Sequence, residues 1–235
     1  MGNSKRSSGD VVQLELWKKR QARRGKKLGR KRSKDSGVTH SRRPRLASRI
    51  PVHITMKWAE GLPTLREHGA FMVLLSCFRA SNAASGLRII DFSVQGNHVH
   101  MICEAADEQA VSSAMQGLGV RVARRLNKHW KRKGTVFADR YHREDLKTPS
   151  QVRNAIRYVL QNVLRHSSRA RFLSTGQPDE FSSGQWFTGW KEAHLNGKPN
   201  DQDDPPVVVP SVWLLTTGWK RHGLLSITER PANAA

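Results

Sequence analysis

The sequence is poor in acidic residues, cysteines and long apolar stretches. Its 19 Asp and Glu face 41 Lys and Arg, which gives a formal net charge of +22 and a pI of about 11.1. A chain this basic is expected to bind a polyanion, and nucleic acid is the commonest one. Most of the excess lies at one end, because residues 1–50 carry 17 Lys and Arg against three acidic residues.

The two cysteines, Cys77 and Cys103, do not form the closely spaced pairs that zinc fingers use. We expect both to be small buried side chains in a reducing compartment. No apolar stretch approaches the roughly 18–20 residues of a membrane-spanning helix. The first residues also lack the apolar segment of a secretory signal. These absences predict a cytoplasmic protein without a membrane partner.

Residues 1–45 are predicted to form a basic, disordered arm. Eleven of the positions from 18 to 34 are Lys or Arg. Like charges at this density repel one another, stay solvated and bind phosphates on contact, although a merely solubilising tail is the alternative. The arm residues expected to contact nucleic acid are Lys18, Lys19, Arg20, Arg23 and Arg24.

Hydrophobic periodicity predicts an ordered α+β domain over residues 46–170. Alternating side chains predict strands at 52–58, 87–94 and 98–104, and a fourth extended segment at 135–146. Helical spacing predicts helices at 65–80, 107–132 and 148–166, the last with Thr148 as its N-cap. The order β-α-β-β-α-β is the ferredoxin-like arrangement, with an antiparallel sheet, and one further helix follows it.

Residues 171–235 are predicted to be an irregular C-terminal extension. Gly, Ser, Pro and Asp are prominent up to residue 204, whereas residues 205–225 contain a run of valines, four leucines and two tryptophans. We expect 205–225 to dock on the preceding domain, and partner binding is the alternative.

His98 and His100 lie two positions apart on the third predicted strand. Strand side chains alternate between faces, so both imidazoles project from the same face and are suited to grip one divalent cation. The pattern is short and common, so coincidence is the simpler interpretation of the pair alone. Barrel metal hydrolases, cyclic phosphodiesterases and structural zinc sites fit less well, because alternating β/α units, a paired His-x-Ser/Thr motif and further zinc ligands are missing.

Tyr158 is one of only two tyrosines and lies on the last predicted helix. At about 100° per residue, it falls on the polar flank of that helix together with Asn162, one turn later. A phenol can attack a phosphodiester if the phosphate is polarised and the tyrosine is well placed. Neither the other tyrosine, Tyr141, nor the single histidine of the first strand, His53, is expected to be catalytic.

Together these features resemble the HUH single-strand nuclease superfamily, in which two histidines flank a hydrophobic residue, as in His98-Val99-His100 here. Within that superfamily the chain is most similar to the single-tyrosine insertion-sequence transposases, and in particular to the REP-associated tyrosine transposases. The similarity also rests on Pro51-Val52-His53-Ile54-Thr55, on the sequence of residues 137–142 and on Tyr158-Val159-Leu160-Gln161-Asn162. It extends over about residues 42–166.

The resemblance implies a metal-dependent transposase and endonuclease of the bacterial nucleoid that cleaves and rejoins single-stranded DNA with hairpins or inverted repeats. Tyr158 would attack one strand and become linked to its 5′ phosphate, leaving a free 3′-OH. Mg²⁺ or Mn²⁺ would be held by His98, His100 and Asn162, with Gln161 as the alternative third ligand. The sequence has no Walker A motif, and ATP is not expected to be required. The protein would act as a monomer or a homodimer.

Basic residues outside the arm are expected to contact DNA, although a solvated basic surface is the alternative for those on the second helix. They are Arg121, Arg124, Arg125, Lys128, Arg140 and Arg165. Two other functions stay open. One is a non-catalytic DNA- or RNA-binding regulatory protein on the same fold, although the aromatic residues of RNP strands are missing. The other is a rolling-circle replication initiator, although the sequence supplies no helicase segment.

Overall fold

The computed structural model describes residues 43–84, 86–165, 176–196 and 204–230. Four strands form an antiparallel sheet in the order β2-β3-β1-β4. The strands are β1 (Val52–Lys57), β2 (Leu87–Val94), β3 (His98–Ala105) and β4 (His142–Asp145). The helices are α1 (His68–Ala83), α2 (Glu108–His129), α3 (Pro149–Leu160) and α4 (Trp213–Thr216). This confirms the predicted α+β fold and its ferredoxin-like order of elements. The predicted arm lies outside the described residues except for positions 43–45.

The sheet separates two hydrophobic cores. Helices α1 and α2 cover one face, where the β3 side chains Val99, Met101 and Cys103 are buried. Helices α3 and α4 cover the other face and pack on Ile90 of β2 and Ile102 of β3. Both cysteines are buried and unpaired, as predicted. Because side chains alternate along β3, His98 and His100 share the face of Ile102 and lie on the side of α3.

Helix α3 begins where the sequence predicts and ends earlier. The Thr148 hydroxyl accepts a hydrogen bond from the Gln151 amide, and the Gln151 side chain accepts one from the Thr148 amide, which forms a complete capping box. The α-helix ends at Leu160, and residues Asn162–Arg165 form a 3₁₀ turn. The amide of Leu164 bonds the carbonyl of Gln161 at 3.0 Å, three residues back, so the backbone has tightened after the last α-helical residue.

Two other boundaries differ from the sequence prediction. Helix α1 starts at His68 because the Glu67 carboxylate caps it, accepting from the amides of Gly69 and Ala70 at 2.7 and 2.8 Å. The extended segment 135–146 contributes only the short strand β4. Phe137 instead forms an isolated bridge with Trp58, beyond the end of β1.

The C-terminal extension packs on α3 and on both cores. Arg153 and Arg157 of α3 each pair with Glu229, at 2.7 and 2.9 Å. Arg66, just before α1, forms a buried bidentate ion pair with Asp179 at 2.7 and 2.6 Å. Within the described residues, no helix has both the length and the apolar character that crossing a bilayer demands.

Candidate active site

The two histidines of β3 lie side by side on the α3 face. Their ring centroids are 4.8 Å apart, with the rings nearly perpendicular. His100 is buried, whereas His98 is half-buried at the start of the strand. The structure therefore confirms that strand alternation brings this pair together.

Tyr158 of α3 lies over His100 of the same chain. Its hydroxyl is 3.5 Å from Nε2 of His100, and the two ring centroids are 5.0 Å apart at 80°. The contact is longer than an optimal hydrogen bond. Tyr158 is half-buried, so its hydroxyl is held near the histidine without being enclosed by the core.

The other nitrogen of His100 contacts two residues of β1. Nδ1 lies 3.1 Å from the Thr55 hydroxyl and 3.2 Å from Nε2 of His53. Thr55 is directly opposite His100 in the β1–β3 register. The sequence interpretation of His53 as a structural histidine missed this contact. Alternation along β1 does place His53 and Thr55 on one face, but only the strand register shows that this face meets His100.

His53 is a neutral imidazole at pH 7. Burial lowers its pKa to about 4, and nearby His142 acts in the same direction. On its other side, Nδ1 of His53 lies 4.0 Å from the Glu144 carboxylate. A neutral imidazole donates from one nitrogen and accepts at the other. The 4.0 Å separation is too long for a hydrogen bond, so His53 lies between the carboxylate of β4 and the His100 ring and bonds only the latter.

These side chains open onto a cavity of about 490 Å³ between the sheet and α3. Its volume lies in the range of ligand-binding pockets. His53, Thr55, His100, Glu144 and Tyr158 line it. The remaining lining residues are His142, Leu146, Gln151, Asn154, Ala155 and Arg157. His98 and the two predicted amide ligands are not among the lining residues.

The two amides predicted as third metal ligands are both buried. The angular argument for Asn162 assumed a continuous α-helix and is wrong on that point, because Asn162 opens the 3₁₀ turn after the end of α3. The side chain of Gln161 donates from Nε2 to the carbonyl of Ser226, and its Oε1 is buried without a hydrogen-bond partner among the described residues. The choice between the two amides stays a prediction.

The two histidines and the buried amides offer the types of donor atom, nitrogen and oxygen, that a divalent cation such as Mg²⁺ or Mn²⁺ accepts. Nδ1 of His98 donates to Asn97 at 2.9 Å, and Nδ1 of His100 contacts Thr55, so ligation by both rings would use Nε2. The unsatisfied oxygen of Gln161 is the kind of buried acceptor that a cation stabilises. In the described part of the chain, no three or more His, Cys, Asp or Glu side chains lie close enough together to hold a metal ion. A metal site at the two histidines would therefore need an amide oxygen as a ligand.

The basic residues of α2 are not part of this site. Arg121, Arg124 and Arg125 line a surface recess of about 410 Å³, and Lys128 is exposed beside them. Helix α2 packs on the opposite sheet face from α3, so these side chains lie away from Tyr158. The predicted contacts of the arm (Lys18, Lys19, Arg20, Arg23 and Arg24) and the side chain of Arg165 lie outside the described residues.

Arg140 and Tyr141 line a third cavity, of about 670 Å³, together with Arg43. The guanidinium of Arg43 lies 3.5 Å from the centre of the Tyr141 ring and donates to the Tyr141 carbonyl at 2.6 Å. The Tyr141 hydroxyl is buried, and no residue in the described part of the chain bonds it. Tyr141 therefore does not belong to the histidine site, in line with the sequence interpretation.

Comparison with known proteins gives a family and a fold. Residues 48–162 match the family model described as transposase, IS200-like, and this segment contains both histidines, Tyr158 and Asn162. No curated protein matches the chain. Eight chains of solved structures match. One is a REP-associated tyrosine transposase bound to a REP hairpin, with 12% sequence identity and a TM-score of 0.53, covering 74% of this chain and 99% of that one.

Proposed function

Because residues 48–162 belong to the IS200-like transposase family, we propose that this protein is a tyrosine transposase that cleaves and rejoins single-stranded DNA with hairpin or inverted-repeat structure. The observation that carries the proposal is the 3.5 Å approach of the Tyr158 hydroxyl to His100 on the sheet face that also bears His98. The high positive charge of the chain suits a DNA substrate. That the structurally similar transposase is bound to a hairpin supports the substrate class.

Tyr158 is the proposed nucleophile. Its oxygen would form a bond to phosphorus while the bond from phosphorus to the 3′ oxygen breaks. The phenol loses a proton and the leaving 3′ oxygen gains one, so a free 3′-OH and a 5′-phosphotyrosine result. Attack of a 3′-OH on that phosphotyrosine reverses the step and joins strands. Because a phosphodiester is exchanged for a phosphodiester, no ATP is needed.

The proposed metal is Mg²⁺ or Mn²⁺. Its proposed ligands are His98, His100 and the amide of Asn162, with Gln161 as the alternative to Asn162. Bound there, the cation would supply Lewis acidity at the phosphate. Nε2 of His100 has one lone pair, so accepting the phenol hydrogen bond and ligating a cation are alternatives for that atom. His53 and Thr55 hold the opposite side of the ring and so fix its orientation.

The direct test is covalent trapping on hairpin DNA with Mn²⁺. Single-stranded palindromic oligonucleotides labelled at either end are incubated with the protein and separated on a denaturing gel. A 5′-phosphotyrosine retains the fragment that carries the 3′ label and releases the fragment that carries the 5′ label. Tyr158→Phe should abolish the adduct while leaving hairpin binding intact, and chelation of the metal should have the same effect.

The chain offers a matched control in its only other tyrosine. Tyr141→Phe removes a hydroxyl to which no described residue forms a hydrogen bond, so this variant should fold and form the adduct normally. An adduct that survives in Tyr158→Phe and disappears in Tyr141→Phe would overturn the assignment of the nucleophile. Tight hairpin binding without any adduct, unchanged by His98→Ala and by chelators, would instead identify a non-catalytic nucleic-acid-binding protein.

A further inference from the structure

A second cavity lies on the same sheet face as the histidines, behind α3. It encloses about 320 Å³, at the small end of the range of ligand pockets. Ile156 of α3, two residues before Tyr158, forms part of its wall, and Asp91 of β2 forms another part. Asp91 is two positions from Ser93, which pairs with His100 in the sheet register. The cavity is therefore a neighbour of the proposed active site.

Asp91 is a buried carboxyl with an incomplete set of partners. Its side chain is 4% exposed, and Oδ1 accepts a hydrogen bond from the Ser183 hydroxyl at 3.1 Å. No described residue donates a hydrogen bond to Oδ2. Burial raises the pKa of this carboxyl to about 7. Asp91 forms part of the cavity wall, so its carboxyl is placed to accept hydrogen bonds from a ligand bound there.

The rest of the cavity suits a flat aromatic ligand. Trp186, Phe187 and Trp219 lie in its wall, and the last two stack on each other with centroids 5.7 Å apart. The indole nitrogen of Trp219 donates to the carbonyl of Leu215 at 2.9 Å, which fixes that ring. Flat apolar walls of this kind hold the π-face of a base, as in proteins that bind single strands.

Lys220 gives the cavity a positive edge. It is exposed and lines the cavity, and its ammonium lies 5.9 Å from the centre of the Trp219 ring. If a ligand placed its flat ring toward Asp91, a negative group at its other end would lie near the Lys220 ammonium, and the attraction between these charges would stabilise the complex. A base with its phosphate has this distribution of apolar surface, hydrogen-bond donors and charge.

We propose that this cavity binds an unpaired guanine, with the Watson–Crick edge of the base on Asp91 and a phosphate near Lys220. Guanine is the base with two adjacent N–H donors on that edge, which a carboxylate accepts together. The proposal rests on the proposed function for its substrate class, since a protein that opens single-stranded DNA meets unpaired bases beside the cleaved bond. The same chemistry is offered by a guanine in DNA and by a free guanine nucleotide.

The first experiment titrates the full-length protein with dGMP, dAMP, dCMP and dTMP, followed by tryptophan fluorescence and calorimetry. Binding of dGMP should be at least about tenfold tighter than that of the other three nucleotides. Asp91→Asn should remove most of this preference. Glu180→Gln, which removes an exposed carboxyl outside the cavity, should not change it. Equal binding of all four nucleotides, or a preference that survives in Asp91→Asn, would overturn the proposal.

A second variant guards against misfolding of Asp91→Asn. Thr216→Trp adds bulk at the half-buried edge of the cavity without touching Asp91, and it should also abolish dGMP binding. If Thr216→Trp folds normally and still binds dGMP as the unchanged protein does, the ligand lies elsewhere and the proposal is wrong.

The second experiment distinguishes the source of the guanine. Hairpin oligonucleotides in which single unpaired guanines are replaced by inosine, which lacks the exocyclic amine, are compared for affinity with Tyr158→Phe protein. A decrease of about tenfold at one position, absent in Asp91→Asn, identifies a base of the DNA substrate. Unchanged affinity at every position, together with selective dGMP binding, identifies a free nucleotide. Neither readout needs cleavage, so a failure of the proposed chemistry at Tyr158 is seen separately in the trapping assay.

Discussion

The hydroxyl of Tyr158 lies 3.5 Å from Nε2 of His100. The opposite nitrogen of the same ring is held between Thr55 and His53 of β1, at 3.1 and 3.2 Å. The ring is therefore contacted at both of its nitrogens, by the tyrosine helix on one side and by the neighbouring strand on the other. Such contacts fix both the orientation of an imidazole and the nitrogen that carries its proton.

The first prediction concerns Thr55. Thr55→Val keeps the side-chain shape and removes the hydroxyl that contacts His100, so the ring is less firmly oriented. We expect the Mn²⁺ concentration for half-maximal adduct formation to rise about 10- to 100-fold, the usual effect of removing a residue that orients a metal ligand. Thr55→Ser, which keeps a hydroxyl at this position, should have the Mn²⁺ requirement of the unchanged protein. Hairpin affinity in the absence of metal should be the same in all three proteins, and an unchanged Mn²⁺ requirement in Thr55→Val would contradict an orienting role.

The second prediction concerns the C-terminal extension. Glu229 pairs with Arg153 and Arg157, which lie one turn apart on α3, and Arg157 also lines the active-site cavity. Glu229→Ala should lower the free energy of unfolding by about 1 kcal/mol, because these ion pairs are only partly buried. It should also speed amide hydrogen exchange within α3, measured by mass spectrometry. Glu60→Ala, in the turn after β1, is the control, and equal exchange in both variants would show that Glu229 does not restrain the helix.

The third prediction separates DNA binding from cleavage. Arg121, Arg124 and Arg125 lie on the sheet face opposite Tyr158, so we expect them to contact phosphates away from the proposed cleavage site. Replacing all three with Ala should reduce the slope of log affinity against log salt by about 0.7 for each single-strand phosphate that these side chains neutralise. Adduct yield at saturating DNA should not change. Lys191→Ala is a control for removal of one exposed charge, and a triple variant with an unchanged slope would exclude this surface from the interface.

The fold was predictable from the sequence because the spacing of hydrophobic residues along a segment indicates which of its side chains are buried. Alternation in β1 to β3 and the 3.6-residue spacing in α1 to α3 reflect which side chains meet a core, and the structure places them accordingly. The end of α3 was not predictable in this way. Just after the last α-helical residue, the side-chain amide of Gln161 donates a hydrogen bond to the carbonyl of Ser226, 65 residues later in the chain. A local sequence pattern contains no information about such a distant partner.

The site was predictable only in its local parts. His98 and His100 share one strand, so alternation alone places them together. Tyr158 on a polar helix flank was also visible. His53, Thr55 and Glu144 were missed as site residues because strand pairing brings them there. The pairing of β1 with β3 places His53 and Thr55 beside His100, and the pairing of β1 with β4 places Glu144 near His53. Strand register joins residues 45 positions apart for Thr55 and His100 and 91 apart for His53 and Glu144, and it is set by the whole sheet rather than by any one segment.

The last prediction follows from the buried carboxyl of Asp91. Burial raises its pKa from 3.8 to about 7. Between these two values the folded protein binds a proton that the unfolded chain has released, so this group makes folding less favourable as pH rises through that window. Asp91→Asn removes the titration and leaves every other titrating group in place. Without ligand, the stability of the unchanged protein relative to Asp91→Asn should therefore fall between pH 4 and pH 7, by on the order of a few kcal/mol, and become constant above pH 8. Urea unfolding of both proteins across this pH range measures the difference, and a difference that stays constant would mean that Asp91 ionises in the folded protein as it does in the unfolded chain.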